Sequence, residues 1–197
     1  MVESSDEWME LPMPKESAWL TRPHGRGALG DLALDHVGIA VRDVDEAIDR
    51  FSTLLGLHDW SRTEISTTVT FRGVEQNVGA IIAVASMGPI DLELVQPTHG
   101  SWTPVDVLDK LGEGLFHLGF RVADVDATTH LAEDAALHAA DVGMHGDEPT
   151  FTISDGGDLH GVCLEFVAPR IPKAMVTSFE HIPYPSTAVE APSPSAT

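Results

Sequence analysis

Two histidines and two glutamates recur in matching order along the chain, and side chains of these types bind divalent metal ions. His36 is the third residue of LDHVGIAVRDVDEA, and His117 is the third residue of the similar segment LFHLGFRVADVDA. Glu93 lies in LELVQP and Glu165 in LEFVAP. Imidazole and carboxylate together suit ions such as Zn, Ni, Co, Fe or Mn. We therefore expect these four side chains, one pair from each copy, to meet at one metal ion.

The surroundings of the two glutamates support this hypothesis. Glu93 and Glu165 each lie within an apolar strand pattern, where an ionised carboxylate is costly unless it is paired or bound to a cation. The alternative is that His36 and His117 are core histidines with hydrogen-bond partners and that the glutamates lie on a solvated face. A single histidine favours that alternative, whereas the repeated His and Glu pairs favour a metal site.

The elements that must position these side chains follow from the hydrophobic pattern. Residues 32–41 alternate as expected for a strand. Asp43 is a suitable N-cap with Glu46 three residues later, which is a capping-box arrangement. Apolar residues then follow at helical spacing until Gly56, which predicts the end of the helix.

Further strands and helices are predicted on either side of the second histidine. Three strands are expected at residues 59–65, at 68–72 or a longer segment reaching 85, and at 90–96. The second copy is expected to contain a helix from Asp124 towards residue 140 and strands at 150–154 and 162–167. A short connecting helix is predicted at residues 104–111.

The chain is therefore divided into two βαβββ modules with additional segments. We expect an α+β fold in which the paired modules form a curved mixed sheet around a metal-containing cavity. The predicted boundaries are an N-terminal extension at 1–30, a first module at 31–98, a connector at 99–113, a second module at 114–170 and a disordered tail at 171–197.

Composition excludes several classes of partner. The chain has 31 acidic and 11 basic residues and a net charge of −20, which disfavours nucleic acid and anionic membranes. The first residues lack a signal-peptide pattern, and the longest apolar run is too short to span a bilayer. The single cysteine, Cys163, is interpreted as a small core residue. We expect a cytoplasmic protein, a small-molecule substrate and a homodimer.

The motifs around the four side chains resemble those of the vicinal oxygen chelate superfamily, which includes glyoxalase I, extradiol dioxygenases and methylmalonyl-CoA epimerase. The resemblance covers roughly residues 32–169 and is strongest to the epimerase-like branch, through DHVGIAVRDVDEA and the block LDKLGEGLFHLGFRVADVDA. It implies paired βαβββ modules and a divalent metal (Zn, Co, Ni, Mn or Fe) held by His36, Glu93, His117 and Glu165.

The resemblance also implies a reaction class. We expect a metal-dependent isomerase or epimerase that acts on a small oxygenated carbonyl substrate through a metal-stabilised enolate, with Glu165 as the catalytic base and Glu75 as a second acid–base group. The alternatives are a glyoxalase-type lyase or an iron-dependent oxygenase on the same scaffold, and a non-catalytic binding or resistance protein. Between residues 112 and 169 the one Lys or Arg is Arg121, which makes this region a poor host for a polyphosphorylated CoA tail.

Overall fold

The protein consists of two copies of a strand–helix–three-strand module, in a computed structural model that describes residues 8–10, 27–30 and 32–183. A short strand, β1 (Trp8–Glu10), comes first. The first module contains β2 (Leu34–Ala40), α1 (Val44–Leu55), β3 (Trp60–Phe71), β4 (Val74–Ser86) and β5 (Asp91–His99). A connecting helix and the second module follow: α2 (Thr103–Lys110), β6 (Gly114–Arg121), α3 (Val125–Asp134), β7 (Ala139–His145), β8 (Glu148–Ser154) and β9 (Cys163–Val167). Two more strands, β10 (Arg170–Pro172) and β11 (Val176–Ile182), complete the described chain.

Nine of the described strands form one mixed sheet in the order β11-β3-β4-β5-β2-β6-β9-β8-β7. Because β3 also pairs with β7, the sheet closes into a barrel, with β11 added outside β3. Within each module the first strand runs parallel to the last, as β2 with β5 and β6 with β9. The modules meet at two antiparallel junctions, β2–β6 and β3–β7. The predicted α+β fold with paired modules and a curved mixed sheet is confirmed.

The first helix forms as the sequence predicts. The side chain of Asp43 accepts hydrogen bonds from the backbone N–H groups of Asp45 and Glu46, which satisfies two amides of the first turn. Gly56 ends α1 in the left-handed conformation, with φ of 69°, which glycine adopts at little cost. The helix buries Val44 and packs against β4 and β5, so that it lies outside the sheet.

The helix of the second module, α3, is shorter than predicted. α3 ends at Asp134 rather than near residue 140, because Ala136 takes a positive φ of 64° and turns the chain. Residues Ala139–His145 then form β7, a strand that the pattern did not indicate. Pairing with both β8 and β3 stabilises β7. Of these two partners, β3 is far from β7 along the sequence, so the residues of β7 alone do not indicate the strand.

The C-terminal region also differs from its prediction. Residues 171–183 were expected to belong to a disordered tail, but they form the end of β10, a short 3-10 helix at Lys173–Met175, and β11. β11 pairs with β3, and β10 pairs with β1, which joins the N-terminal extension to this segment. The rest of the predicted extension and tail, except residues 27–30, lies outside the described residues. Among the described residues, no helix is long and apolar enough to cross a membrane.

Candidate metal centre

The β2–β6 junction contains two β-bulges, one in each strand. In β2 the extra residue is Asp35, which precedes His36, and in β6 the extra residue is Phe116, which precedes His117. A bulge changes the direction of side chains relative to the regular alternation of a strand. As a result, both histidines and both preceding side chains line the same cavity.

Each histidine ring lies over a glycine of the opposite strand. His36 pairs with Gly119, and His117 pairs with Gly38. A Cβ atom added to either glycine would overlap the ring of the histidine that it faces. The repeated His-x-Gly pattern therefore has a packing reason, because only glycine leaves room for both imidazoles at this junction.

Glu93 on β5 and Glu165 on β9 complete a group of four side chains, which we call the His–Glu cluster. One ligand atom from each of its members, including His36 and His117, lies within 4.8 Å of all the others. The Nε2 atom of His36 lies 3.0 Å from Nε2 of His117 and 2.8 Å from Oε2 of Glu165. Glu93 approaches the two Nε2 atoms at 3.7 and 3.8 Å. The structure thus brings together the four residues that the sequence pattern singled out.

The two histidines differ in their electrostatic environment. Burial alone would lower the pKa of His36, but the charge of Glu93 and the hydrogen bonds to Asp35 and Glu165 raise it well above its ordinary value. Burial lowers the pKa of His117 to about 4, so this ring stays neutral with a lone pair available. Positive charge is therefore stabilised at the centre of the cluster.

The two carboxylates also differ. Burial raises the pKa of Glu93 above its ordinary value. Burial would raise the pKa of Glu165 as well, but the neighbouring His117 and the hydrogen bond from His36 outweigh that effect and lower it. Both side chains keep a small exposed fraction, 15% for Glu93 and 12% for Glu165, so each faces the cavity rather than the core.

Asp35 and Arg121 support one side of the cluster, and sequence reasoning did not assign them to it. Nδ1 of His36 donates to Oδ2 of Asp35 at 3.0 Å, and Nη2 of Arg121 donates to the same oxygen at 2.9 Å. With Nδ1 as the donor to Asp35, Nε2 of His36 is the atom that would bind a metal after losing its own proton. The sequence feature that could have indicated this role is the position of Asp35, an aspartate within an apolar strand and next to a candidate metal ligand.

The cluster fits a divalent cation of the borderline type. Two imidazole nitrogens and two carboxylates form a mixed donor set for such ions. The donors converge from four different strands, and the geometry stabilises positive charge at their centre. His36, Glu93, His117 and Glu165 would hold the ion, in agreement with the sequence hypothesis.

The cluster lies in a cavity of about 250 Å³ inside the barrel. Most of the lining side chains are apolar, and Trp102 and Phe116 are among them. Asp91 also lines the cavity, and burial together with the nearby charge of Asp35 raises its pKa. A cavity of this type has room for a small ligand.

The structure does not bring Glu75 to the cluster. Glu75 lies near the start of β4, opposite Thr70, and its side chain is exposed. It is not part of the cavity lining. The position of Glu75 follows from the length of β4, which runs from Val74 to Ser86 as one strand.

A family model described as Glyoxalase/Bleomycin resistance protein/Dioxygenase superfamily matches residues 35–152. Among curated proteins, the Uncharacterized protein YqjC of Bacillus subtilis (strain 168) is 33% identical over 88 residues, which cover 44% of this chain and 55% of that protein. The chain thus spans about half the length of this relative. The sequence-based resemblance to this superfamily is confirmed.

Solved structures agree with the fold. Methylmalonyl-CoA epimerase from Mycobacterium tuberculosis aligns at 23% identity with a TM-score of 0.50, covering 79% of this chain and 97% of that one. The Streptomyces coelicolor methylmalonyl-CoA epimerase, in complex with 2-nitronate-propionyl-CoA, aligns at 26% identity with a TM-score of 0.45, covering 70% and 96%. The first likeness shows a shared architecture.

Proposed function

Because the chain belongs to the glyoxalase/bleomycin resistance protein/dioxygenase superfamily, we propose that it is a metal-dependent isomerase or epimerase acting on a small oxygenated carbonyl compound. One observation carries this proposal: two imidazoles and two carboxylates converge within 4.8 Å inside a cavity with largely apolar walls. Such walls exclude water and strengthen electrostatic interactions with a bound substrate.

The His–Glu cluster would hold the metal, and its four side chains line the cavity into which a substrate with two neighbouring oxygens would enter. A bound divalent cation would supply Lewis-acid polarisation of the substrate carbonyl, which makes the proton on the neighbouring carbon easier to remove. The hydrogen bond from His36 to Asp35 orients the imidazole for this role.

Glu165 is the candidate acid–base group. Its Oε2 atom lies 2.8 Å from Nε2 of His36, and the side chain faces the cavity. A carboxylate that leaves its ligand position can accept the proton from the substrate carbon within hydrogen-bond reach and return it to the substrate. Return by Glu165 to the adjacent carbon gives isomerisation, whereas epimerisation needs a proton delivered to the opposite face of the same carbon by a second acid, for which Glu93 with its raised pKa is the candidate. We assign no role to Glu75, which lies outside the cavity lining.

Four protein donors favour this redox-neutral chemistry over an oxygenase, which typically uses two histidines and one carboxylate and leaves more positions open. A glyoxalase-type lyase would begin with the same proton removal and stays an alternative on the same residues. The homodimer, the cytoplasmic location and the small-molecule substrate also stay predictions.

The test is proton exchange in D2O, followed by proton NMR. The full-length protein loaded with Co(II) is mixed with 2-hydroxyacetophenone or hydroxyacetone, two ketones with vicinal oxygens and exchangeable α-protons. We expect exchange well above the rate with free Co(II), and its loss in His36→Gln and Glu165→Gln. The matched controls His130→Gln and Glu148→Gln change exposed side chains and should exchange like the wild type. Exchange no faster than with free Co(II) for both ketones would contradict the proposal.

A further inference from the structure

The buried part of the cavity wall is apolar. Six of its side chains are at most 8% exposed and come from both modules and from residues 170–183, which we call the C-terminal segment: Ile65, Val95, Phe116, Phe151, Ile153 and Met175. A ligand that enters this space exchanges water for hydrocarbon and aromatic surface, which favours an apolar body. Benzene fills a cavity of about 150 Å³. A cavity of about 250 Å³ therefore suits a ligand of about ten non-hydrogen atoms.

One residue of the apolar wall carries a polar atom without a partner. Trp102 lines the cavity, its side chain is 3% exposed, and its Nε1–H has no hydrogen-bond partner among the described residues. A buried indole N–H usually finds an acceptor, because leaving a buried donor unpaired costs free energy. Nε1 itself has almost no exposed surface, so the indole ring would turn its N–H toward the cavity for a bound ligand to supply the acceptor.

The charges of the lining argue against a phosphorylated ligand. Four carboxylates line the cavity, on Asp35, Asp91, Glu93 and Glu165, against the single guanidinium of Arg121. Arg121 donates to Asp35 at 2.9 Å, so its charge is already matched within the protein. A nucleotide tail with several phosphates needs a cluster of cations, and this lining does not provide one.

The C-terminal segment adds to the preference of the cavity for an apolar ligand over a phosphorylated one. Ile171, Met175 and Phe179 of the segment line the cavity, and Phe179 is 57% exposed next to the start of β3. The two basic residues of the same segment, Arg170 and Lys173, are exposed and do not line the cavity. The segment therefore adds apolar surface to the cavity and leaves its cations outside.

We propose that the substrate is a compact uncharged molecule with vicinal oxygens at one end, an apolar and preferably aromatic body, and an acceptor atom that receives the N–H of Trp102. The same lining offers no site for the phosphates of a CoA thioester. This inference rests on the proposed function, since a metal held by the His–Glu cluster would bind the vicinal oxygens. Trp102 acts as a specificity residue and takes no part in proton transfer.

The first experiment measures binding by calorimetry and by the visible spectrum of the Co(II)-loaded full-length protein. Acetohydroxamate and benzohydroxamate present the same two oxygens to the metal and differ in the size of the apolar body. We expect benzohydroxamate to bind at least tenfold more tightly, because the phenyl ring is buried in the cavity. Methylmalonyl-CoA at the same concentrations should show no binding.

The second experiment tests Trp102 with pyridine-3- and pyridine-4-hydroxamate, whose rings match the phenyl ring in size and add one acceptor atom. We expect at least one of them to bind about fivefold more tightly than benzohydroxamate to the wild type. The gain should disappear in Trp102→Phe, which removes the donor and keeps an aromatic ring. Benzohydroxamate itself should bind both proteins with affinities within about threefold, which checks that the variant retains the cavity.

The outcomes separate this inference from the proposed function. If neither hydroxamate changes the Co(II) spectrum, the metal is not accessible in the cavity, and both proposals are contradicted. If acetohydroxamate and benzohydroxamate bind equally, or methylmalonyl-CoA binds as tightly as benzohydroxamate, the substrate class is wrong while the metal site stands. If both pyridine hydroxamates bind more weakly than benzohydroxamate to wild type and variant alike, Trp102 has no part in recognition.

Discussion

The two modules place their histidines in the same way but surround them differently. His36 and His117 each follow a bulge residue and each lie over a glycine of the other module. The bulge residue is Asp35 in the first module, which accepts a hydrogen bond from His36. It is Phe116 in the second module, whose ring packs edge-on against His117 at 4.2 Å between centroids. One histidine therefore has a polar support, and the other has an apolar one.

The two histidines therefore differ in their pKa values and in their hydrogen bonds. The pKa of His36 is raised by the carboxylates around it, whereas burial lowers the pKa of His117 to about 4. Nδ1 of His117 has no hydrogen-bond partner among the described residues, while Nδ1 of His36 is held by Asp35. The repeated motif positions the ligands, and the residue before each histidine sets the charge and the orientation of its ring.

The largest expected effect comes from the two glycines that the modules share. In Gly38→Ala or Gly119→Ala the new Cβ meets the opposite histidine ring, so we expect loss of stoichiometric metal binding and about 3 kcal/mol lower free energy of unfolding. Metal titration and urea denaturation measure these changes. Gly27→Ala is the control, because nothing lies within 4 Å of its Cβ. Wild-type metal affinity in both variants would show that the rings do not depend on these glycines.

The second junction between the modules, β3–β7, has a buried carboxylate, that of Asp141, where the β2–β6 junction has the two histidines. Asp141 on β7 is fully buried, and its Oδ2 accepts from the backbone N–H of Thr103, the first residue of α2. Burial raises the pKa of Asp141 to about 6, above its unfolded value. The folded state thus holds an extra proton, and this stabilising contribution is complete below the unfolded pKa of about 3.9 and is lost as the pH rises through 6.

Comparing the wild type with Asp141→Asn isolates this group. The free energy of unfolding of the wild type should fall relative to the variant by up to about 3 kcal/mol between pH 4 and pH 7. Urea denaturation at several pH values measures the difference, and groups shared by the two proteins cancel. A difference that stays constant across this range would contradict the raised pKa of Asp141.

The contrast between Asp35 and Phe116 predicts a smaller effect. Asp35→Asn removes the charge that orients His36 and pairs with Arg121, so we expect metal affinity to fall by roughly tenfold to a hundredfold. Phe116→Leu should leave the affinity unchanged, because Phe116 makes no hydrogen bond to His117. Competition with a chromophoric chelator measures both affinities. Equal losses in the two variants would remove the proposed difference between the modules.

The smallest expected effect concerns the helix caps, which also differ between the modules. Asp43 accepts hydrogen bonds from two backbone amides of α1, whereas Asp124 accepts one from Ala127 in α3. Each replacement by alanine should lower the free energy of unfolding by about 1 kcal/mol, with the larger loss for Asp43→Ala. Urea denaturation of the two variants tests the order, and a larger loss for Asp124→Ala would reverse it.

The sequence predicted what the repetition encodes. The capped helix after His36, the paired modules and the superfamily all followed from motifs that occur twice. The convergence of the His–Glu cluster was expected for the same reason, since two copies of one module bring equivalent strands to one junction. These features depend on local patterns and on the duplication, both of which are visible in one chain.

The remaining features depend on contacts between distant segments. β7 was missed because Ala139–His145 is stabilised by pairing with β3 and β8 rather than by its own composition. β11 was missed because its composition resembles a tail, although it pairs with β3. Strict alternation places Asp35 on the face opposite His36, and only the bulge brings both to the cavity.

The most direct test of the central claim is calorimetric titration of Co(II) into the metal-free full-length protein and into two double variants. One variant, His36→Gln with Glu93→Gln, removes the ligands of the first module, and the other, His117→Gln with Glu165→Gln, removes those of the second. A single site built from both modules predicts one equivalent of Co(II) per chain in the wild type and loss of tight binding in both variants. Two equivalents in the wild type, or tight binding that survives in either variant, would contradict it.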